Sequence, residues 1–226
     1  MNWYNIKNID TIDSPALLLY KERIQQNIKH AVEMIKDVSL LRPHVKTNKT
    51  SEVCAMMMDA GITKFKCATI AEAEMLAMLR AKDVLLAYQP VGPKAKRLLS
   101  LMQQYPQTTF GCVTDNSNTA KALSDLFAGN NKTINVFIDL NTGMNRSGIK
   151  PSNAFALAEQ LITLPGINFK GLHAYDGHLR DTDLQQRQQK ADSAFNQVLE
   201  LAAKIETITN QPITIVAGGS PTFPTH

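Results

Sequence analysis

The sequence has 226 residues, of which 44% are hydrophobic and 19% charged, and its formal net charge at pH 7 is +4. This length suffices for one large domain with a substantial core, and no apolar run reaches the roughly 20 residues of a membrane span. Basic residues are scattered among acidic ones, which argues against a nucleic-acid-binding surface, and the first residues lack a secretory pattern, so we expect a cytoplasmic protein.

Eight segments rich in apolar and β-branched residues have the length of buried strands. They cover residues 16–20, 40–46, 64–70, 84–89, 109–114, 134–140, 170–176 and 213–217. Helical patterns separate them, with Pro93 and either Asn116 or Ser117 as start signals and a last long helix over 183–207. This alternation predicts an α/β fold with a parallel sheet, and we favour a (β/α)8 TIM-like barrel over an open, doubly wound sheet.

The strand count has a consequence for domain organisation. If 16–20 is an entry strand, seven barrel strands remain, one fewer than a closed barrel needs. We therefore expect residues 1–226 to form most of one barrel domain that is incomplete at its C-terminus, with an eighth strand and a second domain beyond residue 226.

Lys46 is the first candidate site residue, because it ends the predicted strand 40–46 at the rim where barrel active sites lie. Strand walls partly shield a side chain there, which disfavours the hydrated ammonium form and favours the free amine that attacks a carbonyl. Lys46 therefore suits a Schiff base. Its position alone also fits a solvated lysine at the end of a strand.

A glycine-rich loop follows the last predicted strand and contains Gly218, Gly219, Ser220 and Thr222. Glycines let backbone amides approach an anion closely, the two hydroxyls add donors, and late loops of barrels commonly bind phosphate. The loop therefore predicts a phosphate cradle, with a plain glycine turn as the alternative.

Polar residues also follow the two strands that precede this loop. Residues 139–148 include Arg146, and in residues 171–178 the alternation of a strand points His173 and Tyr175 to the same side. Taken singly, each also fits a structural role, such as a hydrogen-bonded core histidine or an arginine paired with an aspartate. All four segments fall at one end of the predicted barrel, which favours a common site.

Together these motifs resemble the fold-type III pyridoxal 5'-phosphate (PLP) enzymes, which have the alanine racemase N-terminal type of barrel. The resemblance is closest to the D-threonine aldolase and D-serine dehydratase-like family. Residues 13–19 (DSPALLL) resemble that family's opening strand, 42–47 (RPHVKT) its PLP-lysine motif, and 218–222 (GGSPT) its phosphate loop. Residues 142–148 (TGMNRSG) are shared more widely, with alanine racemases.

The resemblance implies a role for each matched residue. Lys46 would carry PLP, Arg146 would approach the phenolic oxygen side of its ring, and Tyr175 would line the pocket. The phosphate would be held by Gly218, Gly219, Ser220 and Thr222. His178, three residues beyond Tyr175, is predicted as a substrate-side acid or base, so Lys46 and His178 are the predicted catalytic residues.

Family members also carry a C-terminal β-rich domain with a His-x-Asp or His-x-Cys metal pair, and the sequence ends before it. A divalent metal is therefore expected only through that domain, and no residue here is assigned as a metal ligand. The resemblance further implies a homodimer.

The implied activity is that of a PLP-dependent lyase on a small D-β-hydroxy amino acid, of the D-threonine aldolase or D-serine dehydratase type, with no nucleic-acid or membrane partner. One alternative is an amino-acid racemase, which needs a base on each face of Cα. Another is a non-catalytic PLP-binding homeostasis protein, which the length favours. The remaining one is an unrelated α/β barrel in which Lys46 is a surface lysine.

Overall fold

Helices and strands alternate along the chain, in a computed structural model that describes residues 2–226. Within that range the α-helices are Lys21–Met34 (α1), Ser51–Asp59 (α2), Ile70–Met78 (α3), Pro93–Gln104 (α4), Ser117–Ala128 (α5), Pro151–Thr163 (α6) and Leu184–Thr209 (α7). The strands are Lys64–Cys67 (β1), Asp83–Leu86 (β2), Thr109–Thr114 (β3), Ile134–Leu140 (β4), Ile167–Ala174 (β5) and Thr214–Ala217 (β6). Short 3-10 helices cover Ile9–Thr11, Val38–Leu40, Val45–Thr47 and Phe223–Thr225.

All the strands are parallel and pair in chain order from β1 to β6. The sheet curls into a half-barrel with helices, which confirms the predicted barrel-type α/β fold. Because parallel strands present their carboxyl ends at one edge, the loops that follow them share a single rim.

Alternate residues of each strand face two different layers. One set packs against the helices in the main core, and the other forms a smaller apolar cluster on the inner face of the curled sheet. That inner cluster consists of Leu85, Val113, Phe137 and Val216. Lys66 and His173 share the inner face, since their neighbours in sequence belong to the main core. Polar groups therefore lie inside the half-barrel.

The strand predicted at 16–20 is wrong. No described segment from 2 to 226 pairs with it, and Leu17 is 76% exposed. A strand needs a neighbour to satisfy its backbone N–H and C=O groups, and its apolar composition alone does not supply one.

The strand predicted at 40–46 is also wrong as a regular element. It forms one isolated parallel bridge, between His44 and Lys66, and then turns into the 3-10 helix Val45–Thr47. Pro43 cannot donate a ladder hydrogen bond, although its carbonyl accepts one from the backbone N–H of Lys66 at 2.9 Å. The apolar pattern is real, since Leu41 and Val45 are buried.

The helix predictions fare better. Pro93 opens α4, and the side chain of Asn116 caps α5 by accepting from the backbone N–H of Thr119 at 2.9 Å. The long last helix is confirmed as α7. Within residues 2–226 no helix combines the length and apolar character needed to cross a membrane.

Candidate active site

Lys46 lies at the rim, in the 3-10 turn that follows the His44 bridge. Its backbone N–H donates to Nδ1 of His44 at 3.3 Å, so the turn is closed by a side chain next to the lysine itself. The Lys46 side chain is exposed, while Val45 beside it is fully buried. The buried valine anchors the turn, and the amine is left accessible.

Three cationic side chains converge on the ring of Tyr175. The distances to the ring centroid are 5.6 Å for Lys46 Nζ, 5.2 Å for Arg146 Cζ and 5.8 Å for Lys66 Nζ. Lys46, Arg146 and Tyr175 come from three separate predicted motifs, and the fold brings them together.

Tyr175 is held between two glycines. A methyl group added at Gly177 would overlap the Tyr175 hydroxyl, and one added at Gly219 would lie 3.1 Å from Cε2 of the ring and 3.0 Å from Cα of Gly177. A side chain at Gly177 would therefore displace the ring, and one at Gly219 would make unusually tight contacts. The glycine loop after β6 is therefore packed directly against the ring that the cations surround.

That loop turns at residues 220–222, where the N–H of Thr222 donates to the carbonyl of Gly219 at 3.1 Å. Gly218 has φ +90°, which favours glycine, and its N–H donates to the carbonyl of Ala174 at 3.2 Å. Ser220 is exposed. The hydroxyl of the buried Thr222 accepts from the N–H of Gly219 at 2.9 Å and donates to Oδ1 of Asp176 at 2.6 Å. These two hydrogen bonds of Thr222 therefore fix the conformation of the glycine loop.

Asp176 joins the loop to the end of β5. Its Oδ2 lies 2.8 Å from Nε2 of His226. Burial acts to raise the pKa of Asp176, but the hydrogen bonds from His226 and Thr222 outweigh it, so the pKa lies below its ordinary value. Asp176 is therefore an ionised anchor of the loop.

Four hydrogen bonds fix the loop that carries Arg146. Oδ1 of Asn141 accepts from the N–H groups of Gly143 at 3.1 Å and Asn145 at 3.0 Å. The Ser147 hydroxyl donates to Asp139 at 3.0 Å, and the N–H of Gly148 donates to Asp115 at 3.1 Å. Arg146 itself is exposed and projects from this anchored loop toward Tyr175.

His178 lies under the same loop. A Cβ added at Gly143 would come within 2.7 Å of Nε2 of His178, so the imidazole packs directly against that glycine. Its Nδ1 is buried and has no hydrogen-bond partner among the described residues. His178 thus supports the Arg146 loop, and its role as an acid or base stays a prediction.

Sequence reasoning missed Lys66 as a site residue. It is only 7% exposed, and its Nζ lies 3.3 Å from Nε2 of His173, whose Nδ1 lies 2.7 Å from Asp139. A lysine between two apolar residues inside a predicted strand was a signal, because lysine is seldom buried without a partner. His44 is a second residue of the site that was not predicted. Burial, with the charges of Lys66 and Lys46 nearby, lowers its pKa to about 4.

The charges indicate what the site accepts. Three cations lie within 6 Å of the centroid of one ring, while the carboxylates of Asp139 and Asp176 are already bonded to histidines. Side-chain-free glycines border the same ring. This combination suits a flat, anionic ligand that carries a phosphate group.

Comparison with known proteins agrees with this fold. Residues 20–226 match the family "Alanine racemase, N-terminal domain". A D-threonine aldolase from Arthrobacter sp. is 27% identical over 216 residues, which are 92% of this chain and 55% of the relative. The crystal structure of D-threonine aldolase from Filomicrobium marinum superimposes with a TM-score of 0.85 at 26% identity, over 95% of this chain and 58% of that one. The chain therefore spans a little over half the length of these two relatives.

A third relative is similar in length to this chain. It is the pyridoxal phosphate homeostasis protein of Pasteurella multocida (strain Pm70), which is 27% identical over 197 residues, covering 83% of each protein. Since the family match extends over nearly all of the described fold, the chain belongs to the alanine racemase N-terminal domain family.

Proposed function

We propose that residues 1–226 form the cofactor-binding barrel domain of a PLP-dependent lyase that acts on D-β-hydroxy amino acids such as D-threonine. The observation that carries this proposal is the convergence of Lys46, Arg146 and the Gly218–Ser220 loop on Tyr175. The similarity to D-threonine aldolases supports the substrate class.

The residues present fit the cofactor. Ser220 adds an exposed hydroxyl beside the glycine loop, and the cations around Tyr175 offset the negative charge of the phosphate and phenolic oxygen. Lys46 supplies the accessible amine that binds the aldehyde. When bound, PLP provides a conjugated ring that accepts electrons as a bond at the substrate Cα breaks.

The chain's own residues would then guide the reaction. Lys46 would hold the cofactor through its aldehyde until substrate binds, and its amine would then be available to move a proton at the substrate Cα. In the aldolase reaction a base takes the proton of the β-hydroxyl, Cα–Cβ breaks, and D-threonine yields glycine and acetaldehyde. We assign that base to His178 because of its position beside the Arg146 loop. In the dehydratase reaction Lys46 removes the α-proton and the hydroxyl leaves, so D-serine yields pyruvate and ammonia.

Turnover by the full-length protein loaded with PLP tests this function. D-threonine, D-serine and their L-enantiomers are supplied while acetaldehyde, glycine, pyruvate and ammonia are assayed, with Lys46→Ala as the control. We expect acetaldehyde and glycine from D-threonine and no product from the L-enantiomer. Pyruvate and ammonia from D-serine identify a dehydratase instead, and interconversion of the enantiomers identifies a racemase.

A second candidate is a PLP-binding homeostasis protein without turnover. The observation that favours it is the similarity to the Pasteurella multocida protein over 83% of both chains. This candidate predicts that PLP binds, that neither enantiomer of any substrate is consumed, and that the bound PLP is transferred to an apo-enzyme mixed with the protein.

A further inference from the structure

Lys66 spans the interior of the half-barrel. It lies on β1, and its Nζ reaches Nε2 of His173 on β5, strands that are not neighbours in the sheet. The contact is 3.3 Å long and buried, and it joins positions 107 residues apart. Lys66 therefore forms a polar floor between opposite walls of the half-barrel.

The protonation states of Lys66 and His173 follow from their hydrogen-bond geometry. Asp139 accepts a hydrogen from Nδ1 of His173 at 2.7 Å, so Nε2 is left as an acceptor for the Lys66 ammonium. Burial lowers the pKa of His173 in spite of Asp139, which favours the neutral imidazole. The positive charge therefore resides on Lys66, whose Nζ lies 5.8 Å from the centroid of the Tyr175 ring.

This charge is poorly compensated within the described residues. The direct partner of the Lys66 ammonium is a neutral imidazole, and a buried ammonium is costly unless an anion lies close by. Burial, together with the charges of Lys46 and Arg42, lowers the pKa of Lys66 to about 8, although Asp139 and Asp176 oppose the change. An anionic ligand above the Tyr175 ring would supply the missing counter-charge.

We propose that Lys66 is a cofactor-binding residue: its buried ammonium, held by His173 and Asp139, is the positive floor of the pocket that attracts the phosphorylated, anionic ring bound by Lys46. This inference rests on the proposed PLP function. Lys66 would add a positive charge to the pocket separately from the phosphate loop. That charge is lost when Lys66 releases its proton.

Other ionisable groups face the same space and must be separated from Lys66. They are Lys46 and His44 on the rim turn, Arg42 before it, Glu72 on α3, Asp139 on β4, Arg146 after β4, and His173, Tyr175 and Asp176 on and after β5. The ordinary pKa values of the carboxylates lie below pH 7, and those of His44 and His173 are lowered further. Lys46 is removed from the experiment by substitution, and arginine keeps its charge throughout.

The test uses pyridoxine 5'-phosphate, which has the ring and phosphate of the cofactor but no aldehyde and so binds without a covalent bond. Its dissociation constant is measured by calorimetry between pH 7 and 9.5 on the full-length Lys46→Ala protein, the parent. Lys66→Met and Lys66→Arg are then added to that parent. Ratios of dissociation constants between variants cancel any titration of the ligand itself.

We expect Lys66→Met to bind roughly tenfold more weakly than the parent at pH 7, with the difference shrinking toward pH 9.5 as the parent loses the charge. Lys66→Arg should bind roughly tenfold more tightly than the parent at pH 9.5, because its charge persists. Lys170→Met removes an exposed lysine from β5 and should leave binding unchanged.

Two failures are distinguishable. Equal binding by the parent, Lys66→Met and Lys66→Arg at every pH overturns the role of Lys66 alone. No binding of pyridoxine 5'-phosphate by the parent overturns the proposed function and this inference with it. If Lys66→Met does not fold, as seen by thermal unfolding, the comparison of Lys66→Arg with the parent at pH 9.5 decides the question.

Discussion

Arg42 and Asp83 form a bidentate ion pair, with Nη1 and Nη2 of the arginine 2.7 and 2.8 Å from the two carboxylate oxygens. The Arg42 side chain is only 9% exposed. Because the segment before Lys46 makes just one bridge to the sheet, this pair is a main attachment between the lysine turn and the first residue of β2.

Breaking that pair should destabilise the fold. Arg42→Met and Asp83→Asn are each expected to lower the free energy of unfolding by roughly 2 kcal/mol, since each leaves a partly buried partner without its hydrogen bonds. Denaturant unfolding measures this. The exposed pair Lys121–Asp125 provides the control, with Lys121→Met changing stability by less than about 0.5 kcal/mol. Strictly additive losses in the Arg42→Met/Asp83→Asn double variant would contradict the pairing.

Gly177→Ala should displace the Tyr175 ring, because the added methyl group overlaps the tyrosine hydroxyl. We expect PLP affinity to fall by at least about tenfold and the free energy of unfolding to fall by roughly 2 kcal/mol. Fluorescence titration with PLP and thermal unfolding measure the two effects. Tyr175→Leu removes the obstructing hydroxyl, so adding Gly177→Ala to that variant should cost less stability than in the wild type. An equal cost in both backgrounds would rule out the steric explanation.

His178 can be separated into a packing role and a chemical role. His178→Asn is expected to abolish turnover of D-threonine, since the predicted base is lost. PLP should still bind Lys46, because the cations around Tyr175 are unchanged. Gly143→Ala should mimic part of this effect, because its Cβ would press on Nε2. Steady-state rates and PLP absorbance report the two properties. Turnover by His178→Asn at the wild-type rate would show that His178 has only a packing role.

His44 should make stability depend on pH. Its pKa is lowered from 6.5 to about 4 in the folded protein, chiefly by burial, so between these values the unfolded chain binds more protons than the folded one. Stability therefore falls as the pH drops from 6.5 toward 4, by about 1–2 kcal/mol once partial exposure is allowed for. His44→Gln should weaken this dependence and the exposed His30→Gln should not, as measured by urea unfolding at several pH values. Identical slopes for wild type and His44→Gln would show that His44 does not contribute.

The sequence predicted the fold class and most helices well because their signals are local. Pro93 and Asn116 begin helices through their own backbone and side-chain chemistry. The strands at 16–20 and 40–46 were wrong because pairing depends on a neighbour elsewhere in the chain, which apolar composition does not specify.

The same limit applies to the site. Lys46, Arg146 and Tyr175 were predicted from motifs at strand ends, and parallel strands bring such ends together. Lys66 and its contact with His173 were not predicted, since a hydrogen bond across the half-barrel depends on how far the sheet curls. The bonding of Asp176 to Thr222 and His226 was missed for a similar reason, because the loop after β6 folds back onto the end of β5.

The most direct measurement is borohydride reduction of the full-length protein incubated with PLP, followed by peptide mass spectrometry. The proposed function predicts one phosphopyridoxyl group on Lys46, which disappears in Lys46→Ala and persists in the matched variant Lys49→Ala. A phosphopyridoxyl group absent from Lys46, or spread over surface lysines and unchanged in Lys46→Ala, would contradict it.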